Sequence, residues 1–231
     1  MLHADLPPFP GFREEGLQFL RDLKQHNERE WFKPRKQTFE DEILWPFQCL
    51  VADFTRRARA AGLPLSGDPK RSIFRIYRDT RFSKNKQPYK THVGAVLSRS
   101  GGRGEQGSVY VHVEPGASFI AGGFWRPETD LMRRWRNRMM ADPGGFLEMT
   151  EQMEAAGHPV EVEESYKRMP RGSEGFADTD LEHWLKAKSL VAVQPVADEE
   201  LMRPAFTETL LAAARTMEPL LAFGWDALEP A

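Results

Sequence analysis

A single cysteine, Cys49, stands in a chain of 231 residues. One thiol closes no internal disulfide, so the sequence predicts a protein of a reducing compartment. Cys49 sits inside an apolar helical run and reads as a small buried hydrophobe. Long apolar runs are missing too, and nothing approaches the roughly 20 residues of a membrane span. The opening stretch MLHADLPPFP has neither the basic start nor the apolar run of a secretory signal. The expected location is therefore the cytoplasm, with no membrane partner. The chain also lacks H-E-x-x-H, paired-Cys spacing and G-x-S-x-G, and no serine is marked as an activated nucleophile. Without internal repeats, low-complexity tracts or a linker, residues 1–231 are expected to form one domain. An apolar share of 40% is enough for its core.

Three kinds of pattern follow one another along the chain. Residues 1–11 are Pro-rich and irregular. From Phe12, apolar residues recur at spacings of three and four, as on a helix (Phe12, Gly16, Phe19, Leu20, Leu23). Asn27 with Glu30 reads as a capping box that opens a helix running to about Ala61, with a break near Pro34 and a kink at Pro46. Gly62-Leu-Pro64 ends it. The middle third reads as strands: Ser72–Arg78, Thr91–Leu97, Ser108–Glu114 and Ser118–Trp125. In the first, Ile73, Arg75 and Tyr77 should share one face, and Phe74, Ile76 and Arg78 the other. The gaps are too short for helical crossovers, so the pairing should be antiparallel. The last third returns to helices at Glu128–Met140, Pro143–Ala156, Leu181–Ala187 and Glu199–Leu221, with short strands at Val160–Glu163 and Leu190–Val193. Met132, Met139, Met140, Met149 and Met153 read as core filler. The predicted fold class is α+β: an antiparallel central sheet of about residues 72–125 flanked by N-terminal and C-terminal helices.

Charge is distributed unevenly. The chain holds 32 Lys and Arg against 34 Asp and Glu, a net charge of −2. Yet residues 70–104 carry ten cations (Lys70, Arg71, Arg75, Arg78, Arg81, Lys84, Lys86, Lys90, Arg99, Arg103) and one carboxylate, Asp79. That leaves 22 basic and 33 acidic residues elsewhere. Neighbouring guanidinium groups repel unless an anion or a carboxylate lies between them. The stretch must therefore collect acids from elsewhere in the fold or bind an external anion. An acidic remainder argues against broad coating by nucleic acid and favours a confined pocket.

Within this stretch, Arg75-Ile-Tyr-Arg78-Asp79-Thr-Arg81-Phe82-Ser-Lys-Asn-Lys86-Gln-Pro88-Tyr89-Lys90 resembles the signature RxxRDxRFxxxKxPYK of DUF2461, a bacterial domain of unknown function. Phe9-Pro-Gly-Phe12, Asn27 through Trp31-Phe32, and Tyr110–Trp125 with Glu114-Pro115-Gly116 and Gly122-Gly123 also look like features of that family. The resemblance spans nearly the whole chain. It implies a domain complete in itself and supplies no catalytic residues.

The residues themselves predict a pocket for a phosphorylated or otherwise polyanionic small molecule. Arg75, Arg78, Arg81, Lys86 and Lys90 supply donors, Asp79 orients guanidinium groups, and Tyr89 and Trp125 form walls. His92 or His112 could move protons, with Glu114 as orienter. Two alternatives stand beside it. One is a nucleic-acid-binding module on the same face, since Tyr77, Phe82 and Tyr89 are interleaved with the cations. The other is a structural or partner-binding protein whose cations only pair with its own acids. The match of 102–109 to G-x-G-x-x-G-x-V leads into a strand, so it reads as a mobile hairpin turn, with Arg103 able to fold over a ligand. His112 and Glu114 share a strand face, and with His92 and Asp79 offer metal-ligand types. No ligand-spacing motif supports a metal and the cations oppose one, so the expected role is hydrogen bonding, with no metal and no cofactor.

Overall fold

The computed structural model describes residues 6–228. Residues 1–5 of the irregular N-terminal stretch lie outside the described part. The element order begins with α1 (Glu14–Gln25), then α2 (Arg29–Phe32), α3 (Lys36–Phe39) and α4 (Trp45–Ala60). Strands β1 (Val93–Leu97), β2 (Ser108–Val113) and β3 (Ser118–Phe124) follow. Next come α5 (Thr129–Ala141), α6 (Pro143–Ala155), β4 (Val160–Glu161), α7 (Glu182–Leu185) and β5 (Leu190–Val196). The chain closes with α8 (Asp198–Leu201), α9 (Phe206–Thr216) and α10 (Glu218–Asp226). The protein is α+β, with a five-stranded antiparallel sheet in the order β1-β2-β3-β5-β4. Val160 pairs with Ala192, and Glu161 with Val191. Among the described residues no helix is long and apolar enough to cross a membrane.

Three predicted elements come out differently. The sheet does not begin at Ser72 or end at Trp125; it starts at Val93 and takes its last two strands from 160–196. Ser72–Arg78 runs extended but touches its neighbours only through isolated bridges, Ile73 to Ala95 and Tyr77 to Tyr89. A bend at Ile76 breaks the two-residue alternation, so Ile73 and Ile76 are both buried while Arg75 and Tyr77 are exposed. The predicted final helix is three pieces. Proline lacks the N–H that a helix interior needs, and Pro204 lies in the turn before α9 while Pro219 falls in the first turn of α10.

The chain forms two compact units. The first takes in the described residues up to Glu105, Tyr110–Ile120 and Pro195–Ala212. Its core is aromatic: Phe9 meets Phe12 edge-on at 5.4 Å and Phe206 at 6.2 Å, and Phe19, Phe32 and Phe39 form a second cluster. Each such ring, fully buried, stabilises the fold by roughly 1.5–3 kcal/mol. Between α3 and α4 the helix widens into a π turn, Glu40–Leu44. Buried Phe39, Ile43 and Phe47 repeat every four residues across it, a spacing that drifts around an ordinary α-helix of 3.6 residues per turn. Pro46 follows directly on the π turn inside one continuous helical run, so its missing N–H removes a hydrogen bond from the helix interior at the point where the regular α ladder is already interrupted. The far end of α4 closes by a Schellman arrangement. Leu63 N donates to Ala58 O at 2.9 Å, Gly62 N donates to Arg59 O at 3.2 Å, and Gly62 takes φ +71°.

The second unit comprises Gln106–Val109, Ala121–Gln194 and the described residues from Ala213. Phe124 packs edge-on against Trp135 at 5.2 Å, and Phe146 contacts Trp184 and Phe223. Met132, Met139 and Met153 are buried here as core filler.

Gly11 anchors the start of the first unit. It takes φ +89°, and a Cβ there would stand 2.2 Å from the carbonyl oxygen of Met202. Substitution Gly11→Ala combines left-handed strain with a backbone clash and should cost roughly 2–4 kcal/mol, read as a lower urea midpoint. A loss below about 0.5 kcal/mol would show that this contact bears no strain.

Candidate functional site

The basic stretch is held as a frame of backbone hydrogen bonds. Phe74 N donates to Gly94 O at 2.9 Å and Val96 N to Ser72 O at 3.1 Å, which tie its first half to β1. Arg78 N donates to Pro88 O at 2.9 Å and Lys90 N to Ile76 O at 2.8 Å, which close the segment on itself. Asn27 does not cap a helix: the N-cap of α2 is Glu28, without a side-chain cap. Its carboxamide instead pairs both ways with Tyr89, accepting from Tyr89 N and donating to Tyr89 O, each at 3.0 Å. The Tyr89 ring stacks on Phe32 at 4.1 Å and is buried.

Two clefts open along this frame. The larger, of about 690 Å³, has Lys36, Lys70, Arg75, Lys90 and Arg103 around the Phe74 ring. Its one carboxylate, Glu40, is already paired with Lys36 at 3.0 Å. Lys90 Nζ lies 5.1 Å from the Phe74 ring centre and the Arg103 guanidinium 5.3 Å, and Arg103 also donates to Ile73 O at 3.4 Å. Among the described residues, none of Lys70, Arg75, Arg78, Lys90 and Arg103 has a carboxylate within ion-pairing distance. Burial, and then the charges of Arg75, Arg103 and Arg78, hold the Lys90 ammonium below its ordinary pKa. The smaller cleft, of about 360 Å³, sets Arg29, Lys33, Lys36 and Arg78 beside Tyr77 and Tyr89.

Other predicted site residues go elsewhere. Arg81 is taken by Asp79, which accepts its guanidinium at 3.0 and 2.7 Å and its backbone N–H at 3.2 Å. Those bonds hold the Asp79 carboxyl down at about 2. Lys86 donates to Thr80 O at 2.9 Å. Neither lines either of these two clefts. Trp125 belongs to the second unit, half exposed, with the Arg126 guanidinium 5.2 Å over its ring. Arg29, Lys33 and Lys36 went unnoticed as site residues; their clustering within a few positions of one helical stretch was the available signal.

His92, His112 and Glu114 do come together, and Asp79 is not with them. The alternation of β2 buries Val109, Val111 and Val113 and puts Tyr110 and His112 on the opposite face. The Tyr110 hydroxyl meets His112 Nδ1 at 3.1 Å, and His112 Nε2 faces Glu114 Oε2 at 3.3 Å. Lys24 Nζ donates to Glu114 Oε1 at 3.1 Å. The His92 and His112 rings lie 4.4 Å apart, and Phe119 stacks on His112 at 4.6 Å. Burial, then the His112 ring, pushes His92 down to about 4. Burial also lowers His112, and it raises Tyr110 to about 12. Burial alone would raise the Glu114 carboxyl, but hydrogen bonds from Lys24 and His112 outweigh it and lower it.

The fold and these clefts define an α+β protein with a cationic surface groove. The chain belongs to the family described as a conserved hypothetical protein (DUF2461), which matches residues 15–223. No curated protein and no solved structure matches it.

Two measurements test this geometry. Substitution Asn27→Ala removes both ties to the Tyr89 backbone and should cost about 1–3 kcal/mol in urea unfolding, with faster hydrogen exchange at the Tyr89 amide. Unchanged exchange there would contradict the pairing. In the unfolded chain His92 titrates near its ordinary value of 6.5, but in the fold only near 4. The unfolded state therefore binds the extra proton first, and stability falls as pH drops from about 6.5 towards 4. The His92→Gln variant should show a shallower acid-side loss in a pH series of melting midpoints.

Proposed function

We propose that the protein binds a phosphorylated or otherwise polyanionic small molecule in the larger cleft, with Lys70, Arg75, Lys90 and Arg103 as its contacts and Phe74 as the apolar floor. The supporting observation is the setting of Lys90, partly buried and surrounded by Arg75, Arg103 and Arg78 without a paired carboxylate. Contacts with the Phe74 ring offset only about 0.5–2 kcal/mol of that repulsion. A bound phosphate would neutralise it, and guanidinium forks suit its oxygens. Arg78, beside Arg29 and Lys33 in the smaller cleft, extends the same surface for a second anionic group. Arg81 and Lys86 are left out of this reading because Asp79 and Thr80 hold them. The lone buried thiol of Cys49 accords with a cytoplasmic setting.

A second reading, single-stranded nucleic acid on the same face, has one observation in its favour: Tyr77 is 48% exposed and Phe82 95% exposed beside the cations.

Thermal shift against inorganic phosphate, pyrophosphate and nucleoside triphosphates tests the proposal. At least one should raise the melting midpoint, and raising the salt should weaken the effect. The Lys90→Met variant should bind that anion at least about tenfold more weakly, a loss of about 1.4 kcal/mol. Without ligand it should be as stable as the parent or more so, because a repelling charge is gone. If Lys90→Met unfolds the free protein and no polyanion stabilises the parent, the cations serve structure alone. Oligonucleotide binding that outcompetes every small anion, with a steep dependence on log salt, would favour the second reading.

A further inference from the structure

We propose that His92, His112 and Glu114 form a binding site for one divalent transition-metal ion. The site goes beyond the anion cleft and does not depend on it. Each residue offers one ligand atom, and the three atoms lie within 4.8 Å of one another. Metal bonds of about 2.1 Å at a tetrahedral angle put two donors about 3.4 Å apart. His112 Nε2 and Glu114 Oε2 already stand 3.3 Å apart, and the His92 ligand atom lies within 4.8 Å of both.

The surroundings orient these ligands as a metal site requires. A ligating imidazole normally donates its other N–H to a fixed partner, and the Tyr110 oxygen lies 3.1 Å from His112 Nδ1 in that position. In the metal-free pair the Nε2–H of His112 can donate to Glu114; a metal ion would take the place of that proton, leaving the remaining one on Nδ1 towards Tyr110. The other oxygen of Glu114 is held by Lys24, and the Thr91 hydroxyl approaches it at 3.5 Å. Phe119 covers the face of the His112 ring and leaves its in-plane lone pair free. The Lys24 side chain is 66% exposed, so its charge can swing into solvent when the metal arrives. Two imidazoles and one carboxylate favour zinc, cobalt or ferrous iron over magnesium or calcium. Three protein ligands also leave a coordination position open for water or a ligand oxygen. The sequence offers these ligand types, but with no spaced motif to join them, because His92 precedes β1 while His112 and Glu114 lie at the end of β2.

The test is calorimetric titration of the chelator-treated full chain with Zn²⁺ and Co²⁺, and with Mg²⁺ as control, in phosphate-free buffer. The expected result is one equivalent of Zn²⁺ or Co²⁺ with a cobalt visible absorption band, and no binding of Mg²⁺. Variants His92→Gln, His112→Gln and Glu114→Gln should each bind at least about 100-fold more weakly while keeping the parent circular dichroism. Tyr110→Phe, which touches no metal, should weaken binding about 10-fold. His158→Gln, outside the cluster, should bind as the parent does. Failure of the parent to bind either metal overturns the proposal. So does binding that survives His112→Gln and Glu114→Gln.

Discussion

The two-way hydrogen bonding between the Asn27 carboxamide and the Tyr89 backbone, with the Phe32–Tyr89 stack beside it, fixes the basic segment where no regular strand pairing does so. The arrangement of charge depends on that fixation. Like charges crowded into one cleft repel one another. A flexible loop would relieve this by spreading. The stretch from Ser72 to Lys90 is tied to β1, to itself and to Asn27, so Arg75, Arg78 and Lys90 stay close, and Arg103 is held beside them by its bond to Ile73 O. Where the ties stop, between Asp79 and Gln87, the cations find partners of their own in Asp79 and the Thr80 carbonyl.

The hairpin strands were legible because their signals are local. The alternation in Ser108–Val113 needs only one buried face, and Pro115-Gly116 turns the chain back. Ser72–Arg78 shows the same alternation on paper, but the bend at Ile76 turns a second apolar side chain inward and shifts the rhythm. Asn27 departs from its local pattern for a related reason. An Asn three residues before a Glu fits a capping box, yet the partner that wins its carboxamide lies 62 residues away. The basic character of the site was plain in the charge count. Which cations share a cleft depends on long-range packing, and that packing brings Lys36 from the helical layer and Arg103 from the β1–β2 connection.

Strand β2 carries two kinds of side chain for two purposes. Val109, Val111 and Val113 are fully committed to the core. The alternate positions, Tyr110 and His112, with Glu114 just past the strand end, are then placed with the rigidity of the sheet rather than of a loop. Gly94 of β1 makes room for this row: a Cβ there would stand 2.2 Å from the Tyr110 hydroxyl. The absence of a side chain at one position on the neighbouring strand thus sets where a polar group on the next one can point.

The π turn at Glu40–Leu44 has a geometric consequence for the groove. A π turn amounts to one residue inserted into an α-helix, and each residue is about 100° of rotation. The segment before it carries Arg29, Lys33 and Lys36; the segment after it carries Phe47, Leu50 and Phe54 into the core. Excising a single residue from the bulge would leave the core-facing half in register and swing the cationic half a quarter-turn or more away. The extra residue acts as an angular spacer, and through it the hydrophobic packing of one helical run dictates the heading of the charges on its other end.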